Sequence, residues 1–379
     1  TVNAISVNID ANKKMGKGDL FYGAEYVYNK VGSVGSKTNI TNNAVTPAVS
    51  RYPDGSTWNT SGIYGSYKIN IIPVLTLTGG LRYSYNPLNA SFDTTFIKFP
   101  YQKAALKDGA FTGNLGLVYR PTTTWQINGN VSTGYRMPDV DDIGKLFESA
   151  PGNITVPNPN LQPEYAWNFE IGVVKNISQK FKLELNGFHT ILNDAIVRRP
   201  ATFNGQDSIV FDGVKSRVEA LQNVAKATVW GFQLSGEYYI FNNLSLQTHA
   251  NWISGKETDE TKNEQVALRH APPFYGSTLL KFSHKKIFVE ASANYNSKIK
   301  NEDLAPSEQS KTDIYAKDSN GKPYSPSWYS LNLKASYQLT KNLLFTTGWE
   351  NITNQMYRPY SSGIVAAGSN FIISVRANL

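Results

Sequence analysis

The sequence of 379 residues contains no cysteine, so neither a disulfide framework nor a thiolate metal site is open to it. No apolar run reaches the roughly 18 residues that a membrane-spanning helix requires, which excludes one. Charge is sparse. Asp, Glu, Lys and Arg together make up 17%, against about a quarter in soluble domains. Histidine occurs only four times, scattered at 189, 249, 270 and 284. No Ser/His/Asp grouping or carboxylate pair stands out, so catalysis is not expected. The formal net charge is +8, compatible with an anionic ligand or lipid surface and equally with scattered surface lysine.

What is present is aromatic and small-polar. Aromatic residues are 12% of the chain, 22 of them Tyr, and Asn, Ser, Thr and Gly are abundant. Mean hydropathy is −0.36. A transmembrane β-barrel averages to such a value, because half of each strand faces lipid and half a wet lumen.

The order of the residues supports this. Period-two alternation marks a strand with one apolar and one polar face. In Leu75 to Tyr85, Leu75, Leu77, Leu81, Tyr83 and Tyr85 share one face, and Thr76, Thr78, Arg82 and Ser84 the other. About fifteen such strands are predicted: 2–12, 20–31, 58–70, 75–85, 111–120, 125–135, 167–175, 181–191, 229–241, 244–252, 274–282, 287–295, 328–339, 343–350 and 371–379. Short turns and long loops alternate between them. Among the turns is Ser178-Gln179-Lys180, and the last strand runs to Leu379. Long loops belong outside and short turns inside. On that parity the first and last strands both descend, so at least one ascending strand is expected upstream. The same is expected because lipid cannot satisfy an open sheet edge. The chain also begins at Thr1 in an alternating strand with no signal peptide.

The most informative stretch is Trp125 to Val174. Two alternating strands flank a long polar connection with prolines at 138, 151, 157, 159 and 163, which rules out a tight hairpin. Its acidic residues Asp139, Asp141, Asp142 and Glu148 lack the glycine-turn pattern of a Ca²⁺ loop, so a solvated loop is expected and no metal site. Tyr135-Arg136-Met137-Pro138 closes the first strand. Asn158-Pro159-Asn160-Leu161-Gln162-Pro163-Glu164 leads into the second. Together they resemble the aromatic-Arg-x-Pro and Asn-Pro-Asn-Leu-x-Pro-Glu signatures of TonB-dependent outer-membrane receptors. Leu77-Thr78-Gly79-Gly80-Leu81-Arg82-Tyr83, Leu268 to Gly276 and Asn351-Ile352-Thr353-Asn354-Gln355-Met356-Tyr357 look similar to further segments of that family. The terminal Asn370 to Leu379 resembles its final strand, but ends in Leu379 where an aromatic is usual. Ala367-Gly368-Ser369 stands where Pro-Gly-Arg is usual.

The resemblance covers essentially the whole chain. It implies an all-β, antiparallel transmembrane barrel, with about 15 strands here of an expected 22, residues 1–379 being its C-terminal portion and the plug domain absent. It implies active import of a scarce nutrient across the bacterial outer membrane, as a siderophore-type iron chelate, haem or cobalamin. Work would come from the TonB-ExbB-ExbD complex acting through the plug. Lipid, lipopolysaccharide and the small-molecule ligand are the other implied partners; no nucleic acid and no cofactor of its own are implied. Two other readings stand beside it: a glycan or peptide importer paired with a surface lipoprotein, and a passive 16-stranded porin. Haem receptors of the family often place a His between the two signatures, and this chain has none there. Candidate ligand contacts are the aromatic and basic loop residues Tyr52, Tyr101, Arg198, Arg199, Tyr324, Tyr357 and Arg358.

Overall fold

The structure, a computed structural model, describes residues 1–150, 152–178, 180–259 and 264–378. Pro151, Gln179 and Leu379, named above, lie outside them. The described residues are nearly all strand. Fifteen long strands run Val2–Met15, Gly18–Val31, Thr57–Ile72, Leu75–Ser91, Lys103–Thr122, Trp125–Arg136, Glu164–Ser178, Phe181–Pro200, Val214–Phe241, Leu244–Asp259, Tyr275–His284, Ile287–Asn296, Trp328–Thr340, Leu343–Glu350 and Asn370–Ala377. Every strand read from the sequence is among them. Two-residue turns join Met15 to Gly18, Ile72 to Leu75, Thr122 to Trp125, Phe241 to Leu244, His284 to Ile287 and Thr340 to Leu343. Between these turns stand the long connections, so the alternation of short and long is real.

Several strands overrun the expected ends. Phe181–Pro200 passes 191 by nine residues, and Val214–Phe241 starts fifteen residues before 229. Hydropathic alternation stops where lipid stops, but backbone pairing does not. The long connections also hold their own elements: hairpin strands Gly35–Thr38 and Val45–Ala48, short strands Phe147–Ala150, Asn153–Val156 and Ser208–Phe211, and a helix α1, Val140–Gly144.

The chain divides into two compact units. The first comprises residues 1–116, 131–168 and 191–226, the second 117–130, 169–190 and 227–379. In the first, Val2–Met15, Gly18–Val31, Thr57–Ile72 and Leu75–Ser91 pair successively as an antiparallel meander. In the second, six antiparallel pairings carry the sheet from Ala227 to Ala377. Glycine opposite tyrosine recurs: Gly23 faces Tyr64 and Gly276 faces Tyr295. A Cβ on Gly276 would come within 2.7 Å of the Tyr295 ring, so the aromatic covers bare backbone there.

The apolar face of the strands is outward. Leu81 is 71% exposed, Phe111 73% and Ile373 70%, whereas Ser84 is buried. Rows of exposed Leu, Ile, Val and Phe at every second position are a liability in water and the required surface in hydrocarbon. The compact apolar cores are built instead from the long connections and the strand ends beside them. In the first unit, Leu88, Val140, Ile143 and Leu161 pack with Phe92 and Ala104, and Ile154, Val156, Leu146, Phe203 and Val218 form a second core.

Candidate functional site

The connection from Arg136 to Glu164 is folded over its described residues, which corrects the expectation of a solvated loop for Asp142, largely covered, while Asp139 and Glu148 are exposed as expected. Helix α1 is too short to persist alone, and its ends are fixed by side chains. Asp139 caps it, accepting from the backbone N–H of Asp141 at 2.8 Å and Asp142 at 3.1 Å. Asp142 accepts in return from the Asp139 N–H, completing a reciprocal cap. Ile143 is wholly buried beneath.

Arg136, from the first signature, clamps this helix to the second signature. Its Nη1 donates to Asp142 Oδ2 at 2.6 Å and its Nε donates to Glu164. Glu164 is buried and also accepts the Ile196 N–H at 2.6 Å. The two motif charges, 28 residues apart, are therefore one ion pair. Burial pushes the Asp142 carboxyl above its ordinary value despite the guanidinium beside it. Tyr135 packs against Tyr165 with ring centroids 5.3 Å apart. Pro138 and Leu161 are buried. Asn158 donates to the Leu221 carbonyl and accepts from the Asn160 N–H, while Pro159 and Pro163 shape the chain between these anchors.

Four of the predicted contacts lie in this first unit. Tyr52 donates to Asp141 Oδ1 at 2.8 Å, and Lys145 binds Asp141 Oδ2 at 2.5 Å. Burial would raise Asp141, but Lys145 and Tyr52 outweigh it and hold its carboxyl below the ordinary range. Tyr101 donates to the Pro157 carbonyl at 2.6 Å, with its ring on Phe92 and Phe99. Burial pushes its hydroxyl far up. Arg198 and Arg199, expected on a loop, lie on the strand Phe181–Pro200, because that strand continues past its apolar segment.

Sequence reading missed Phe147, where Arg198 meets Arg51 and Lys145. Phe147 has Arg51 4.6 Å, Lys145 5.3 Å and Arg198 5.6 Å from its ring centroid. Asp141 neutralises Lys145, and Glu219 lies 3.9 Å from Arg198. Two of the three cations thus have a carboxylate beside them, and with Arg51 the face still joins positive charge to a flat apolar ring, which suits an anion with a flat or apolar body. The signal in sequence was weak: a Phe two residues after a Lys, with both arginines far away along the chain.

Tyr324, Tyr357 and Arg358 belong to the second unit. Tyr324 lies in a two-residue strand, Pro323–Tyr324, with Lys298 over its ring at 4.7 Å. Tyr357 stacks on Trp328 with centroids 4.1 Å apart. Nearby, Glu308 is fully buried and joins three connections, accepting from Arg269 at 3.2 Å, Ser361 at 3.0 Å and Tyr360 at 3.3 Å. Among the described residues no cluster of three or more His, Asp or Glu could hold a metal ion.

A family model described as TonB dependent receptor-like, beta-barrel matches residues 2–352. The chain is 24% identical over 391 residues to the heme/hemopexin utilization protein C of Haemophilus influenzae, covering 97% of this chain and 49% of that protein. Its fold resembles the copper transporter OprC, with a TM-score of 0.78 and 14% identity over 99% of this chain and 56% of the other. It resembles likewise the ferric-catecholate import receptor Fiu of K12 E. coli, with a TM-score of 0.67 and 15% identity over 99% and 54%. The chain thus spans about half the length of these proteins.

Proposed function

The chain belongs to the TonB-dependent receptor family, as its β-barrel portion, and on that premise we propose that it serves the active import of an iron chelate or haem across the bacterial outer membrane. The whole receptor would have 22 strands and a plug ahead of Thr1. The long connections would face the outside and receive the ligand. TonB with ExbB and ExbD would release it by acting on the plug, since a ligand held at nanomolar affinity needs about 12 kcal/mol of work to free.

One observation carries the ligand class. Arg51, Lys145 and Arg198, from three different segments, surround Phe147 of the folded signature connection. Ferric chelates and haem both present anionic carboxylate or catecholate oxygens beside flat or apolar bodies, which such a face suits. The relative named for heme and hemopexin utilization supports the same class. The folded signature connection favours this reading over a passive 16-stranded porin, and no catalytic role is proposed.

The test is growth of a deletion strain on single defined iron sources, with and without a working TonB system. Restoration of growth on one anionic iron source by the intact gene, in a TonB-dependent manner, is expected. An Arg51→Ala/Arg198→Ala receptor should then require about tenfold more of that source. Equal growth of deletion and parent strains on every iron chelate and on haem would overturn the proposal.

A further inference from the structure

The long connections of the second unit enclose a cavity of about 380 Å³, whose walls include Ile314, Pro326, Trp328, Tyr357, Arg358 and Val365. This is the size range of small-ligand pockets. Its wall mixes apolar residues with Thr312, Ser325, Ser327 and Gln355, and its aromatic face is the Trp328–Tyr357 pair, stacked at an interplanar angle of 18°.

Arg358 is the charged group in that wall. Its Nη1 donates to two backbone carbonyls of the neighbouring connection, Asp313 at 2.7 Å and Ile314 at 2.9 Å. These two bonds consume both Nη1 hydrogens and hold the guanidinium plane in place. Among the described residues no carboxylate pairs with it. The Nε–Nη2 edge is left without a protein acceptor. That edge presents two parallel N–H donors at the spacing of a carboxylate's oxygens, the fork that makes Arg–carboxylate recognition bidentate. A partly exposed guanidinium fixed in this way can take a bound anion as its counter-ion.

We propose that this pocket binds a small aromatic carboxylate, its carboxylate on the Nε–Nη2 edge of Arg358 and its ring against the Trp328–Tyr357 stack. The site concerns binding alone. It does not depend on which nutrient is imported or on energy coupling, so it stands or falls separately from the transport reading.

The test uses the full-length receptor, purified in detergent, with benzoate as probe and ligand-observed saturation-transfer NMR as readout. Benzyl alcohol supplies the ring without the charge, and acetate the charge without the ring. Benzoate should bind at least tenfold tighter than either. Arg358→Gln should weaken benzoate tenfold or more and leave benzyl alcohol unchanged. Arg358→Lys, which keeps the charge and one donor to the loop carbonyls, should recover part of the loss. Tyr357→Leu, which leaves the guanidinium in place, is the second variant should Arg358→Gln misfold, and it should weaken benzoate and spare acetate. The proposal is overturned if the parent protein shows no benzoate binding at about 10 mM, or if benzoate binds Arg358→Gln, or failing that Tyr357→Leu, as it binds the parent.

Discussion

Replacing Arg136 with methionine isolates what the signature clamp contributes. The substitution keeps the length of the side chain and removes its charge. It leaves two carboxylates without their shared partner, with Glu164 only 11% and Asp142 12% exposed at the side chain. Each keeps one backbone donor, Ile196 N–H on Glu164 and Asp139 N–H on Asp142. Two hydrogen bonds to charged groups are lost, worth about 1.5–3 kcal/mol each when buried. Arg136 itself is 48% exposed, so water and ions replace part of that. A loss of about 2–3 kcal/mol remains, which raises the open fraction of the connection roughly 30- to 150-fold. Lys145 sits inside the connection with a side chain only 12% exposed, so tryptic cleavage after it reports the opening. The variant receptor should be cut there faster by that factor, while the strands stay intact. Adding Glu164→Gln removes one stranded charge and should recover part of the protection. Cleavage of Arg136→Met at the parent rate, or a double variant no better protected than the single, would refute the reasoning.

Other consequences follow from the same geometry. Burial alone would raise Glu308, but the hydroxyls of Tyr315 and Ser361 and the Arg269 guanidinium outweigh it and hold its carboxyl below the ordinary 4.5. Its contribution is therefore complete above about that pH and is lost as pH falls through the lowered value. Hydrogen exchange of residues 300–315 should accelerate on acidification through that window, and Glu308→Gln should be fast already at pH 7. On the strand Lys103–Thr122, Phe111→Lys places a charge on the exposed apolar face. It should cost about 2–4 kcal/mol if that position lies near mid-membrane. Heat-dependent gel mobility should show the loss, and Thr112→Lys, of opposite parity, should show little.

How much was legible in the sequence differs between the strands and the site. The strand segments between the turns were readable because hydrocarbon imposes a local rule: side chains alternate, and the rule needs no knowledge of distant residues. Leu75 to Tyr85 shows it by parity alone, and the two-residue turns follow from where alternation breaks. The overruns were not readable. Residues 192–200 and 214–228 lie where lipid no longer selects for alternation, so pairing continues through polar sequence without a hydropathic trace. That is why Arg198 and Arg199 looked like loop residues.

The site is the converse case. The two signatures could be located, but not that Arg136 and Glu164 hold each other, because a charge carries no address for its partner. Asp139, Asp141 and Asp142 looked like solvated acids. Tertiary structure made the first a helix cap, the second the partner of Tyr52, 89 residues away in sequence, and the third half of a clamp. Phe147 gained its meaning from Arg51 and Arg198 in the same way. Alternating hydropathy, a one-dimensional pattern, determined the strands. Which charges met was decided only when the long connections packed, since ion pairing falls off over a few ångströms and sequence distance says nothing about those ångströms.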